Sequence, residues 1–156
     1  QYHTVNQIPY RQHTTEKGKD KQEFLAATGE TAYNAWHTEF QRRIIMPYCN
    51  VKTNIRVEKK KELSKALTKT IELIPGKTEN WIMTSIDDEA FMTFAGTEEP
   101  TAMITLKTFG QPSQKYYDLV TAGFCETVSS MLGIPEDRIY ISHEPSEHWG
   151  WNGGNF

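Results

Sequence analysis

The sequence is poor in cysteine, in long apolar runs and in excess charge of either sign. Its two cysteines, Cys49 and Cys125, form no closely spaced pair, which favours buried thiols over a disulfide framework or a metal site. The formal net charge of -3 is too small to indicate a nucleic-acid or membrane partner. No apolar run reaches the ~20 residues of a membrane-spanning helix. The polar segment 1–21 also lacks the apolar core of a secretory signal.

Common catalytic and cofactor-binding motifs are absent as well. The sequence contains no G-x-S-x-G, no P-loop, no G-x-G-x-x-G after a strand and no H-E-x-x-H. His143 and His148, which enclose Glu144 and Glu147, could contact a metal ion, but such a stretch is more typical of a solvated loop. We therefore predict no metal site and no cofactor.

The composition changes near residue 46, which predicts an N-terminal extension over 1–46 and a domain over 47–156. The first 21 residues are polar and without periodicity, as in flexible segments. Within about 31–45, large apolar residues recur at helical spacing and predict an amphipathic helix. They are Tyr33, Trp36, Phe40 and Ile44. Their apolar face needs a surface, either on the following domain or on a protein partner.

The order of elements after residue 46 predicts an α+β fold. The predicted elements are strand 48–53, helix 58–74, strand 81–86, a short extended piece 91–94, strand 101–109, helix 113–132 and strand 139–143. We expect Ser113 to cap the second helix and Pro75-Gly76 to end the first. Two β-α-β units of similar size indicate a mixed sheet with both helices on one face.

Each predicted helix has an apolar stripe that should face this sheet. The stripe of the first comprises Leu63, Ala66, Leu67, Ile71 and Ile74. The stripe of the second comprises Tyr116, Leu119, Val120, Phe124, Val128 and Leu132.

The C-terminal segment combines aromatic residues with glycines. Trp149, Trp151 and Phe156 lie close together around Gly150, Gly153 and Gly154. These rings could close a small core, form a subunit contact or line an apolar pocket, and the sequence does not choose among these roles.

Several segments together resemble one family. They are Met46-Pro47, Gly76-Lys77, Met92 to Pro100, Lys107 to Gly110, Pro135 to Ile141 and Gly150 to Phe156. In order and spacing they are similar to the macrophage migration inhibitory factor and D-dopachrome tautomerase family. The most specific part of the likeness is Asp-Arg-Ile-Tyr-Ile followed by Gly-Trp-Asn-Gly.

The resemblance implies a tautomerase fold, a homotrimer and active sites between subunits. It implies that Pro47 is the general base once its nitrogen is free, and that Lys77 meets the substrate carboxylate. The residues that it implies around the substrate are Phe109, Tyr140 from a neighbouring subunit, Trp151 and Phe156. It also implies a cytoplasmic protein, in some members secreted without a signal peptide.

These implied roles fit the chemistry of keto–enol tautomerisation. The reaction needs a base with a pKa near the working pH and no cofactor. An α-amine has a pKa of about 8, and both an apolar pocket and the Lys77 cation lower that pKa further. Aromatic walls suit a phenylpyruvate-like substrate, so we expect phenylpyruvate tautomerase activity that depends on a free Pro47.

An uncleaved Met46–Pro47 bond leads to a different expectation. The Pro47 nitrogen is then a tertiary amide, whose lone pair is delocalised and cannot accept a substrate proton. The chain would be a catalytically silent binding or assembly subunit, or a cytokine-like signalling protein, with the extension docked on a partner. It could also be a latent enzyme whose extension covers the pocket until a protease removes it.

Overall fold

The computed structural model describes residues 46–155. Residues 46–149 belong to one compact unit, and the hairpin over 150–155 belongs to another and is described by itself. The predicted helix at 31–45 and the predicted pocket residue Phe156 lie outside the described residues. No helix in the described part is long and apolar enough to cross a membrane.

Four strands and two helices make up the larger described unit. In chain order they are β1 (Pro47–Thr53), α1 (Lys60–Ile71), β2 (Met83–Asp87), β3 (Ala102–Phe109), α2 (Gln114–Leu132) and β4 (Ile139–Ser146). Short 3₁₀ turns at Glu79–Trp81 and Glu136–Arg138 precede β2 and β4.

The strands form one mixed sheet in the order β2-β1-β3-β4. β1 is parallel to β2 and antiparallel to β3, and β3 is parallel to β4. Each parallel pair is joined through a helix, as two β-α-β units require. The predicted mixed sheet is therefore confirmed.

The core lies between one face of the sheet and both helices. Alternate residues of the two central strands, such as Val51 and Ile104, are fully buried, as the period of a strand requires. Leu67 of α1 and Phe124 of α2 are fully buried in the same cluster. Packing on one face buries the apolar stripe of each helix, and the predicted placement of both helices is confirmed.

The helix boundaries and stripes differ from prediction in three places. α1 ends at Ile71, before Pro75, because the amides of Leu73 and Ile74 bond to carbonyls three residues back. Ser113 is the N-cap residue of α2, but its side chain makes no capping hydrogen bond. Leu119 was wrongly placed in the stripe of α2, since it is 44% exposed.

The predicted extended piece at 91–94 was also wrong. The structure has no strand there, only an isolated bridge between Phe94 and Thr97. Ala95 and Gly96 between them have φ angles of 51° and 77°, which make a tight turn.

The C-terminal hairpin pairs β5 (Gly150–Trp151) with β6 (Gly154–Asn155). Asn152 and Gly153 connect the strands with φ angles of 49° and 77°. Asn-Gly is the preferred pair for such a two-residue turn, because both positions need positive φ.

The contact between α1 and α2 gives a test of packing. A Cβ added at Gly123 would lie 2.7 Å from Thr70 Cγ2, which is too close. Gly123→Ala should therefore lower the free energy of unfolding by about 1–2 kcal/mol, because the clash exceeds the gain in helix propensity. In a Thr70→Ser background, which lacks Cγ2, the same change should be neutral or stabilising. Urea unfolding of the four chains checks this, and an equal effect in both backgrounds would contradict the packing described.

Candidate active site

Pro47 is the first residue of the central strand β1 and is buried. It lies opposite Thr108 of β3. Proline has no backbone N–H to donate to the sheet, and the first residue of a strand is a position where this loss is tolerated. Its nitrogen is bonded to the carbonyl carbon of Met46. The residue Met46 is itself only 6% exposed. In this chain the nitrogen is therefore an amide and not a base.

Lys77 lies at the same edge of the sheet as Pro47. It follows Gly76, whose φ of 82° turns the chain, and its N–H donates to the carbonyl of Ile74 at 3.1 Å. The chain then runs through one 3₁₀ turn into β2, where Met83 pairs with Tyr48. Because β1 and β2 are parallel, the segments that lead into both strands meet at one edge.

The amine of Lys77 is unusual because it is buried without compensation. The residue is 3% exposed, and its Nζ has no hydrogen-bond partner within residues 46–155. Removal from water disfavours the ammonium form and lowers the pKa of Lys77 to about 7. A buried cation without a partner weakens a fold, so this position is a candidate for function.

Phe109 completes this edge. It ends β3 directly after Thr108, the partner of Pro47, and it is 9% exposed. On its other side it pairs with Ser146 at the end of β4. Pro47, Lys77 and Phe109 thus share one edge of the sheet, as a common site for them requires.

Tyr140 lies far from this edge within its own chain. It pairs with Met103, which pairs in turn with Lys52, five residues along β1 from Pro47. At about 3.3 Å per residue, Tyr140 is displaced about 16 Å along the strands from Pro47. It is 62% exposed. A small molecule in contact with Pro47 therefore cannot reach Tyr140 of the same chain.

The remaining predicted residues divide between the hairpin and the helix-covered face. Trp151 belongs to β5 and is 36% exposed. His143 ends the predicted strand 139–143 and lies in β4, which continues to Ser146, so the stretch that it begins is not wholly a loop. Its Nε2 lies 2.9 Å from Thr121 Oγ1 of α2, and its ring contacts Tyr117. Burial lowers the pKa of His143. Through its contacts with Thr121 and Tyr117, this residue packs α2 on the sheet.

The edge that carries Pro47 is closed in this chain. Met46, Pro47, Lys77 and Phe109 are all buried. Two shallow depressions on the described surface lie elsewhere, one beside Arg56 and one between the two helices. Neither Pro47 nor Lys77 is therefore open to solvent at this edge.

The sequence analysis missed a polar network on the sheet face that the helices leave open. Tyr48 Oη lies 2.8 Å from Ser85 Oγ, and Asn50 Nδ2 donates to Ser85 Oγ at 2.6 Å and to Asp87 Oδ2 at 2.9 Å. In β1, Tyr48 and Asn50 alternate with buried residues, and in β2, Ser85 and Asp87 alternate with the half-buried Thr84 and Ile86. That alternation was the available signal, since a face of polar side chains does not belong to the core.

Comparison with known proteins gives one consistent result. The model of the macrophage migration inhibitory factor (MIF) family matches residues 46–156. The macrophage migration inhibitory factor of Xenopus laevis is 30% identical over 117 residues, covering 71% of this chain and 99% of the relative. The crystal structure of MIF2 from Leishmania major has a TM-score of 0.67 at 27% identity, covering 71% of this chain and 97% of that one. A homologue structure from Prochlorococcus marinus has a TM-score of 0.60 at 34% identity, covering 70% and 98% respectively.

Because the Lys77 amine is buried, replacing it with an apolar side chain should raise the free energy of unfolding, and the size of this gain should depend on pH. Its pKa of about 7 lies below the unfolded value, so the unfolded chain binds more protons between pH 7 and about 10. The stability of the wild type should therefore rise across that range. Lys77→Met, which lacks the titrating group, should be more stable by about 2–4 kcal/mol at pH 7, with little advantage near pH 10.

Urea unfolding at pH 7, 8.5 and 10, at one fixed protomer concentration, measures this difference. Lys65→Met, at an exposed position of α1, is the matched control and should change stability by less than about 0.5 kcal/mol. A Lys77→Met chain that is less stable at every pH would show that the amine has a stabilising partner.

Proposed function

This chain belongs to the macrophage migration inhibitory factor family, and we propose that it is a keto–enol tautomerase of small aromatic α-keto acids that uses a free N-terminal Pro47. The observation that carries the proposal is the buried Lys77 amine, which has no hydrogen-bond partner among the described residues, at the edge where Pro47 begins β1. Such an amine weakens the fold and gains a partner when an organic carboxylate binds.

Pro47 acts as the base once the bond to Met46 is cut. Its nitrogen then becomes a secondary amine with a lone pair, and burial of that amine lowers its pKa from about 8 toward neutrality. The amine takes the proton from the carbon next to the keto group, the enolate oxygen takes a proton from water to give the enol, and Pro47 then gives its proton to the hydroxide that is left, which regenerates the free amine. Atoms and charge balance without a cofactor.

Lys77 holds the substrate carboxylate and takes up a proton as it does so. With a pKa of about 7, the free amine is half protonated at neutral pH. A carboxylate beside it favours the ammonium form, so the bound complex retains the charge. The carboxylate thereby fixes the keto acid in place beside Pro47, which makes proton transfer effectively intramolecular.

The walls of the pocket come from more than one subunit in this proposal. Phe109 lies at the edge of Pro47, whereas Tyr140 of the same chain is about 16 Å away along the strands. A homotrimer that brings Tyr140 of a neighbour to this edge would complete an aromatic site. We assign Trp151 and Phe156 to the same wall on the basis of the resemblance.

A second candidate is favoured by the closed edge. While Met46 stays attached, Pro47 has no basic nitrogen, and Met46, Lys77 and Phe109 are all buried. In that form the chain would be a catalytically silent binding or assembly subunit. Tyr33, Trp36, Phe40 and Ile44 of the extension would then dock on a protein partner.

Turnover should require a free nitrogen at Pro47. A chain that begins at Pro47 should isomerise phenylpyruvate, and a chain of residues 1–156 should be at least about 100-fold slower, because general-base catalysis contributes that much. Pro47→Gly in the shorter chain retains an amine but loses the ring and should reduce turnover. Lys77→Met should raise KM more than it lowers kcat.

The assay follows enol formation by absorbance, with intact mass measured on every sample. Lys65→Met in the shorter chain is the control and should retain full turnover. Equal turnover by the chains beginning at Gln1 and at Pro47, with the bond to Met46 intact in the longer one, would contradict Pro47 as the base.

Carboxylate binding should weaken as the pH rises above 7. Below its pKa of about 7, Lys77 is already charged, and above it binding requires uptake of one proton. The Kd of a non-isomerisable aryl carboxylate should rise up to about tenfold per pH unit from 7 to 9. Calorimetry in buffers of different ionisation enthalpy measures the linked proton. Lys77→Arg, whose guanidinium stays charged, should flatten the slope, whereas an unchanged slope would exclude Lys77 as the carboxylate partner.

A further inference from the structure

An aromatic pair, the exposed Tyr140 and the half-buried Phe94, lies at the end of the sheet far from Pro47. The ring of Tyr140 is 62% exposed and meets the ring of Phe94 edge to face, with centroids 4.9 Å apart and an interplanar angle of 75°. An exposed tyrosine ring ordinarily has several rotamers open to it. Contact with Phe94 selects one orientation, so the position of Tyr140 depends on the segment that carries Phe94.

The segment that carries Phe94 has little regular structure of its own. Phe94 and Thr97 exchange backbone hydrogen bonds of 2.9 and 3.0 Å across a two-residue turn. Ala95 in this turn has a φ of 51°, a conformation that is costly for a residue with a Cβ. The turn therefore needs support from outside to keep its shape.

Arg138 supplies that support. Its Nε donates to the carbonyl of Pro100 at 2.9 Å, and its Nη2 donates to Thr97 Oγ1 at 3.0 Å and to the carbonyl of Glu99 at 3.1 Å. Its guanidinium carbon lies 5.2 Å from the centre of the Phe94 ring. One planar group thus fixes both the backbone after Phe94 and the ring itself.

We propose that Arg138 is a positioning residue for the aromatic wall, holding Phe94 and through it Tyr140 in the orientation that receives the aromatic end of a substrate. The inference rests on the proposed function, in which Tyr140 reaches the site of a neighbouring subunit. It adds two residues, Arg138 and Phe94, that touch neither the reacting atoms nor Pro47. Their effect should fall on the recognition of an aromatic ring and not on proton transfer.

The planar arrangement of several N–H donors in the Arg138 guanidinium matters more than its charge. The ion pair with Glu99 is long, at 3.6 Å, and the carboxylate is 70% exposed, so it contributes little. A lysine would keep the charge, but its single ammonium cannot span the carbonyls of Pro100 and Glu99 while lying over the Phe94 ring. Arg138→Lys is therefore a sharper test than removal of the whole side chain.

The experiment compares two carboxylic acids on chains that begin at Pro47. The probes are 3-phenylpropionate, which has a ring, and butyrate, which has none, and their affinities are measured by titration calorimetry. The variants are Arg138→Lys, Arg138→Met and Phe94→Leu, with Glu99→Gln as the matched control. Phe94→Leu removes the ring but leaves the backbone acceptors of Arg138 in place.

Each of the three variants should bind 3-phenylpropionate about three- to tenfold more weakly, as the loss of a fixed aromatic contact predicts. Their affinity for butyrate should stay within about twofold, as should both affinities of Glu99→Gln. The pH profile of phenylpyruvate turnover should keep its position, because Pro47 is untouched. Unchanged affinity for 3-phenylpropionate in all three variants would overturn the assignment. Equal loss for both acids, which indicates general damage to the fold, would overturn it as well.

The same titrations separate this inference from the proposed function. A wild-type chain that binds 3-phenylpropionate but does not isomerise phenylpyruvate would refute the tautomerase proposal alone. A selective loss of phenylpropionate binding in Arg138→Lys would then still establish the positioning role. A wild-type chain that isomerises phenylpyruvate but shows the same ring preference after every substitution would refute the inference alone.

Discussion

The peptide bond between Met46 and Pro47 decides whether the Pro47 nitrogen can be basic. The same nitrogen is either part of an amide or a basic amine, and resonance in the amide leaves no intermediate state. The sheet places that nitrogen at the start of its central strand β1, beside Thr108 of β3. Uncut, the chain has a tautomerase fold without its base. Cut, the same edge offers a secondary amine in buried surroundings.

The rest of the candidate site follows from the direction of the strands. Because β1 and β2 are parallel, the segments leading into both meet at one edge, and Lys77 lies there with Pro47. Because β3 is antiparallel to β1, its last residue, Phe109, reaches the same edge. The parallel pairing of β3 and β4 places Tyr140 at the opposite end. One chain therefore places Tyr140 at the end of the sheet opposite to Pro47, Lys77 and Phe109, and the buried amine of Lys77 has no hydrogen-bond partner within residues 46–155.

The order of elements, the faces of the strands and most of the core could be predicted from periodicity, because burial on one face imposes a period of two on strands and 3.6 on helices. The end of α1 at Ile71 could not, since a turn of 3₁₀ type intervenes before Pro75. Of the site, Pro47 and Lys77 could be named only through the likeness to a family. The burial of the Lys77 amine and the lowering of its pKa could not be predicted from the sequence, because burial is a property of the folded chain. Arg138 stood in a recognised motif, but its contacts with Phe94 and Thr97 join segments far apart in the sequence.

The most direct measurement of the central claim is the N-terminal residue of the protein purified from its native source, found by intact mass and N-terminal sequencing of the fraction that isomerises phenylpyruvate. The account predicts that the active fraction begins at Pro47, and that chains retaining Met46 elute without activity. An active fraction in which every chain retains Met46 would contradict it, because such a chain has no basic nitrogen at Pro47.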